Sequence, residues 1–309
     1  MAYNLTQFKS KVSEIVQDDA VKLSTSERDN FIQEAVKIYS KHRPRDVVRE
    51  IAGDGNYDYA ISNFKAWVKG FSIITKIEYP ANQRDPEYAD ENDFMIIDKA
   101  TGQFLRFLED SPSATEIIRV IHTALHILID AVITVSIATP AVVSYASHGL
   151  NPGDAFQFAT TGALPTGLAA GTTYYVITAG LTSDAFELSA TPGGTAINTS
   201  GTQSGTHTFR MNTIPAIDED AVANLAASLC SGALASAYAQ TSDSTITAEA
   251  VDHKSKSQEF SSRAKVQKQT YLNHIGLKEG DVAPASAVKD LDVDYPWGGD
   301  RLTHPKKWR

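Results

Sequence analysis

From Ala131 to Phe209 the chain carries no lysine and no arginine. Threonine, serine, glycine, alanine and short apolar runs make up that stretch, while the sequence on either side is charged and helically periodic. A segment punctuated every few residues by turn-forming glycine suits short strands. The contrast predicts one helical domain split over 1–129 and 211–277, an all-β domain over 130–210 between its halves, and an extended tail over 278–309. With 309 residues there is length enough for two such domains. The expected class is α+β: a mainly α-helical bundle with a β-hairpin/strand element, interrupted by a small all-β sandwich or barrel insert.

In the first flank, Phe8, Val12, Ile15 and Val16 recur at helical spacing and predict a helix over residues 4–18. Ser24 and Glu27 form a capping-box pattern ahead of Phe31, Ile32, Ala35, Ile38 and Tyr39, and Pro44 stops that helix. Val47–Ile51 is short and β-prone. Trp67–Ile77 reads as a helix giving way to a strand, and residues 93–107 read as a hairpin around Asp98–Gly102. Ile117–Leu128 is β-branched at its start and favours a strand. In the second flank, Asp218-Glu219-Asp220 opens a helix, because acids in the first turn suit the positive end of its dipole. Val222, Leu225, Ala226, Leu229, Ala233 and Leu234 form its apolar face. Another helix runs from Ala248 to Ile275, with Phe260, Tyr271 and Leu272 apolar and Gly276 as its C-cap. Between the flanks, Ala155–Ala159, Tyr174–Thr178, Ala185–Ser189 and His207–Arg210 read as strands between glycine-bearing turns.

Lysine and arginine number 28 against 37 acids, a formal charge of −9, which argues against general DNA binding. The segment Arg301–Arg309 is the exception, with Arg301, Lys306, Lys307 and Arg309 and no acid. Together with Tyr295, Trp297 and Trp308 it suits an extended segment docking on a partner, since tryptophan and arginine are common interface anchors. A solvated terminus is the plainer alternative. One cysteine, Cys230, excludes an intramolecular disulfide and a cysteine-based zinc site and reads as a small core residue. The start, MAYNLTQFKSK, has no apolar run, so no signal peptide is expected. The apolar stretch Ala124–Val135, broken by His126 and Asp130, is too short to span a bilayer. A soluble protein of a reducing compartment, with no membrane partner, is the expectation.

Candidate chemistry is sparse. His122 and His126 lie four apart, a spacing open to a metal pair, but no HExxH pattern accompanies them. Two interior histidines are the plainer reading. The carboxylates at 85–93 and 218–220 suit a solvated loop and a helix start. No phosphate-binding loop, dinucleotide fingerprint or nucleophile elbow is present. Catalytic residues, metal ligands and cofactors are therefore all expected to be absent, and an enzyme is not expected.

Several stretches of the flanks carry a resemblance. They are Ile118-Arg119-Val120-Ile121-His122-Thr123-Ala124-Leu125-His126, then Thr213–Ala227, Asp243-Ser244-Thr245-Ile246, Lys256–Ala264, and Tyr271-Leu272-Asn273-His274-Ile275-Gly276-Leu277. In this order they resemble the head–tail adaptor (connector, or head-completion) proteins of long-tailed bacteriophages, over residues 1–129 and 211–277. The insert separately resembles a β module found among phage structural proteins, through Ser147-His148-Gly149-Leu150, Gly153-Asp154, Thr161–Pro165, Gly171–Ile177 and Phe186–Ser189.

The resemblance implies a structural virion protein in the neck, assembled in the host cytoplasm. It implies a homo-oligomeric ring, usually a dodecamer, beneath the portal protein, joined on its other side to a stopper or tail-terminator protein. Genomic DNA would pass through the ring without sequence-specific contact. By the same analogy Tyr295, Trp297, Arg301, Lys306, Lys307, Trp308 and Arg309 form a portal-docking tail, and Leu225, Leu229, Phe260 and Tyr271 lie on ring-packing helices. The usual adaptor lacks the insert. The alternative is a tail or neck fibre component whose insert binds a host surface glycan through Asp154, Tyr174 and Tyr175.

Overall fold

A computed structural model of the chain describes residues 3–18, 21–90, 92–109, 111–239 and 256–278. Two helices come first, α1 (Leu5–Val16) and α2 (Thr25–His42). Six strands follow: β1 (Arg45–Ala52), β2 (Asp58–Ala60), β3 (Ile74–Glu78), β4 (Phe94–Lys99), β5 (Gly102–Phe107) and β6 (Ile117–Ala124). Six more are β7 (Leu128–Val135), β8 (Val142–Ser144), β9 (Ala155–Thr160), β10 (Thr173–Val176), β11 (Ala185–Ser189) and β12 (His207–Asn212). Helices α3 (Glu219–Ala239) and α4 (Lys256–Ile275) complete the described elements.

Local sequence accounts for the helix starts. Asn4 caps α1 and Ser24 caps α2, each in a reciprocal capping box, with Gln7 and Glu27 respectively. Helix α1 presents Phe8, Val12 and Val16 to the interior, and α2 presents Ile32, Ala35, Val36 and Tyr39. These pack on α3, whose Ala221, Val222, Ala226, Ala227 and Cys230 are buried, and on Phe260, Tyr271 and Leu272 of α4. The small side chains along α3 let its neighbours approach closely. By length and composition α3 could cross a membrane, an apolar run longer than the Ala124–Val135 stretch noted from sequence. Here it is the central helix, enclosed by α1, α2 and α4.

The twelve strands overturn the expectation of a mainly α-helical bundle. Among the described residues the protein is mainly β, with a closed six-stranded barrel, two three-stranded sheets and only four α-helices. One sheet has the order β1-β6-β3 and the other β2-β5-β4, all antiparallel. Their inner faces share a core of Tyr59, Phe64, Ile77, Leu105, Phe107, Ile118 and Val120. Everything from Arg45 to Ala124 is organised by strands, where the sequence had suggested strand accessories on a helical body. Alternation in β1, buried or half-buried at Arg45, Val47, Arg49 and Ile51 and exposed between them, is the period-two signature of a one-faced strand. The helix expected from Trp67 does not form. Ala66 and Gly70 both have positive φ, which ends right-handed helical progress, and only a short 3₁₀ turn, Ile61–Asn63, precedes them.

The barrel closes in the order β10-β11-β8-β7-β12-β9, with β9 pairing back to β10. Its interior is filled by Phe156, Phe158, Phe186, Phe209 and Tyr174 among aliphatic residues. Phe156 stacks on Phe209 with ring centroids 4.8 Å apart, and Phe186 meets Phe156 edge-on at 5.4 Å. Closure removes the free strand edges that a small sheet would otherwise expose. The barrel is thus packed solid by aromatic rings.

Candidate functional site

The densest polar arrangement among the described residues surrounds Asp218, where the ends of α2 and α4 meet the start of α3. Asp218 is buried, and its carbonyl accepts the N–H of Val222, the first helical bond of α3. Its carboxylate accepts hydrogen bonds from three side chains: Tyr39 Oη at 2.5 Å, Arg43 Nη1 at 2.9 Å and His274 Nε2 at 2.7 Å. Helical spacing places the partners. Tyr39 and Arg43 are four apart and share one side of the last turn of α2, while Tyr271 and His274 are three apart on α4.

The arrangement continues outward. His42 Nδ1 lies 2.6 Å from Tyr271 Oη, tying α2 to α4 a second time. The His126 ring sits 5.0 Å from that of Tyr39. Its Nδ1 is 2.8 Å from the Thr213 carbonyl and its Nε2 is 3.0 Å from the Arg43 carbonyl. The His126 N–H donates to Ser40 Oγ, which in turn donates to the Val36 carbonyl. Three stretches distant in sequence, 39–43, 126 and 213–218, are thus fastened to one another and to the end of α4.

Burial alone would raise the Asp218 carboxyl, but the hydrogen bonds from Tyr39, His274 and Arg43 outweigh it and hold the group below the ordinary carboxylate range. Burial, then Asp218, pushes the Tyr39 hydroxyl well up, and burial likewise raises Tyr271. His42 and His126 are lowered, chiefly by burial. The result is an ionised aspartate held by a tyrosine hydroxyl, an imidazole N–H and one arginine. Each group is occupied by another, so the geometry fixes three helix ends and the base of the barrel.

The two histidines considered as a metal pair have separate surroundings. His122, on β6, is fully buried against the rings of Phe64 and Trp67, and His126 belongs to the Asp218 arrangement. No group of three or more histidine, cysteine or acidic residues is placed to hold a metal among the described residues. Cys230 lies in the α1–α4 core, where burial pushes its thiol up to about 12.

Leu225, Leu229, Phe260 and Tyr271 come together, all within or against the core shared by the four helices of one chain. Beside them a groove between α1 and α4 is lined by Glu14, Ile15, Gln17, Glu259 and Val266, and Val266 stands 67% exposed. The tail residues Tyr295, Trp297, Arg301, Lys306, Lys307, Trp308 and Arg309 lie outside the described residues, as does the expected helix start at Ala248. Of the insert residues considered for glycan contact, Tyr174 is buried and its hydroxyl accepts the Ala169 N–H. Asp154 is turned inward toward Arg45, and Tyr175 is half-exposed.

Reading from sequence missed Tyr39, Arg43 and His274 as partners of Asp218. Its sequence context predicts a dipole acid at a helix start, and Asp218 also stands there, one residue before α3. A signal was present in the aromatic and basic residues at one end of each helix, Tyr39-x-x-His42-Arg43 and Tyr271-x-x-His274. No protein-family model, curated protein or solved structure matches the chain.

Proposed function

We propose that this protein is a structural head-to-tail adaptor of a tailed bacteriophage, linking the DNA-filled capsid to the tail. The observation that carries the reading is the convergence at Asp218. The stretches that resemble the adaptors are dispersed along the sequence, and three of them meet there. His126 from the first contacts Thr213 from the second, and His274 from the last binds Asp218. Residues resembling one family and lying far apart in the chain are thereby parts of one local structure.

In this proposal the protein sits in the virion neck after assembly in the host cytoplasm. Copies form a ring under the portal protein, and a stopper or tail-terminator protein binds the opposite side. The segment 278–309 docks on the portal through its tryptophans and basic residues. Genomic DNA passes through the ring without base-specific contact, in keeping with the net charge of −9. The exposed groove between α1 and α4 supplies apolar surface for a neighbouring subunit.

Immunogold labelling of virions, viewed by negative-stain electron microscopy, tests the proposal. Label at the neck is expected. Label confined to the tail tip or fibres would overturn it in favour of a host-binding role for the insert. Burial of Tyr174 and the inward turn of Asp154 toward Arg45 weaken that second reading.

A further inference from the structure

A second polar cluster lies where the barrel meets the β1-β6-β3 sheet, and its charges do not balance. Arg45 and Arg49 project from the same face of β1, on which Val47 lies opposite His122 of β6. Lys65 belongs to the segment covering that face, its carbonyl 3.3 Å from His122 Nε2. From the barrel side, the turn that begins at Asn151 brings Asp154 inward, its carboxylate taking the Asn151 N–H at 2.7 Å. Arg45 and Lys65 therefore face one carboxylate, with Arg49 within electrostatic reach of Lys65.

That carboxylate does not saturate them. Arg45 Nη1 is 3.8 Å from Asp154, too long for a hydrogen bond, although both side chains are nearly buried. Arg45 uses its Nε on the Leu125 carbonyl, at 2.8 Å, and leaves Nη2 buried without a protein partner. Arg49 Nε is likewise buried and unpartnered. Lys65 is within electrostatic reach of both Arg49 and Asp154. Asn151 is 4% exposed and its side-chain amide is turned toward Asp154 without completing a hydrogen bond of ordinary geometry.

Buried guanidinium and amide donors left empty are costly, and native proteins fill them. Unfilled donors and excess positive charge together point to an acceptor that is negative, compact and rich in oxygen. We propose that this cluster between the barrel and β1 binds a small free oxyanion of the phosphate class. Arg49, Lys65 and the outer nitrogen of Arg45 bind it, and Asn151 donates from the barrel side. The burial of Asn151 and Arg45 excludes the phosphate of a polymer backbone. The ligand bridges the barrel turn to the sheet, so binding fixes the barrel against the body. The inference is independent of the adaptor proposal.

The test uses the full-length protein at constant pH and ionic strength, titrated with inorganic phosphate, with acetate, or with chloride alone. Thermal unfolding and isothermal titration are the readouts. Saturable phosphate binding with a rising midpoint is expected, and acetate and chloride should give neither. Arg49→Gln should weaken apparent phosphate affinity about tenfold or more, as deletion of one charge-assisted hydrogen bond predicts. Lys65→Met tests the same site from a different segment and should do likewise, while Lys37→Met, on the exposed side of α2, should leave affinity unchanged. Circular dichroism checks that each variant is folded. No saturable phosphate binding by the unaltered protein would overturn the proposal whatever the variants do. Equal affinity for acetate, or equal phosphate affinity in folded Arg49→Gln and Lys65→Met, would do the same.

Discussion

Replacing Asp218 by asparagine keeps the side chain's size and removes its charge. In the native structure that charge receives Tyr39, Arg43 and His274 at 2.5, 2.9 and 2.7 Å. A hydrogen bond to an ionised group contributes about 1.5–3 kcal/mol, and bonds sharing one acceptor do not add. Arg43 is 44% exposed and regains water when its partner is lost, so its share is small. Tyr39 is 1% exposed and cannot do so. The expected cost is about 2–4 kcal/mol for Asp218→Asn, and about 3–5 kcal/mol for Asp218→Ala, which leaves the buried donors unpaired. The pH dependence has a definite sign. The folded carboxyl is held below its ordinary value of about 3.9, so its stabilisation is present above that pH and is lost as pH falls through the folded value. Urea unfolding followed by helical circular dichroism, at steps from pH 7 down to pH 3, reads both effects. The variant should begin less stable and show a flatter acid limb. A loss below about 1 kcal/mol at pH 7, with the acid limb unchanged, would refute the view that this carboxylate ties the helices together.

Three further outcomes are expected. Cys230, buried with its thiol raised to about 12, should resist an aromatic disulfide reagent in the native state and react on unfolding; rapid native labelling would contradict its place in the core. His122 is lowered, first by burial, so its neutral form contributes stability above the ordinary histidine value of about 6.5 that is lost as pH falls toward the folded value. Thermal midpoints of His122→Phe, which packs with Phe64 and Trp67, should decline less steeply than wild type on acidification below that value; parallel curves would count against it. Excision of residues 131–209, closed by a short turn, should leave a soluble protein that retains the helical signal, because Asp130 and Arg210 are paired neighbours on β7 and β12; insoluble product would show that the barrel is required for the rest to fold.

Local chemistry was easier to read from the sequence than balance between elements. The capping box at Ser24 and Glu27, the stop at Pro44 and the hairpin turn near Gly102 are each set by a few adjacent residues, and each is present. The glycine-rich, Lys/Arg-free stretch likewise marked β9 to β12 of the barrel, but not β7 and β8. The sheets between Arg45 and Ala124 were underweighted because their strands are short and joined by polar loops. Pairing such as Val47 with His122, or Ile77 with Val120, is a long-range fact that no local window contains. The same limit hid the site. Tyr39 and Asp218 are far apart in the chain, and nothing in the spacing of either helix reveals that their ends converge.

The position of the Asp218 arrangement acquires a mechanical meaning from the way the barrel is joined to the rest. Only two strands, β7 and β12, connect it, and they leave side by side, Leu128 opposite Asn212. A domain on a two-strand stem is free to rock unless something beyond the stem holds it. Several contacts do so here. Leu128 and Ile214 enter the helix core directly, and Gln33 of α2 donates to the Leu128 carbonyl. Thr213 and Ile127 exchange backbone and hydroxyl hydrogen bonds where the strands emerge, and His126 joins that point to Arg43 and Ser40. Five residues after Thr213 stands Asp218. Stem, helix ends and sheet edge therefore share one hydrogen-bonded region, so a force on the barrel is delivered first to α2 and α3. The Arg45–Asp154 contact lies off this stem and is the weaker tie, at 3.8 Å. Motion of the barrel should accordingly open that side first, pivoting about the stem.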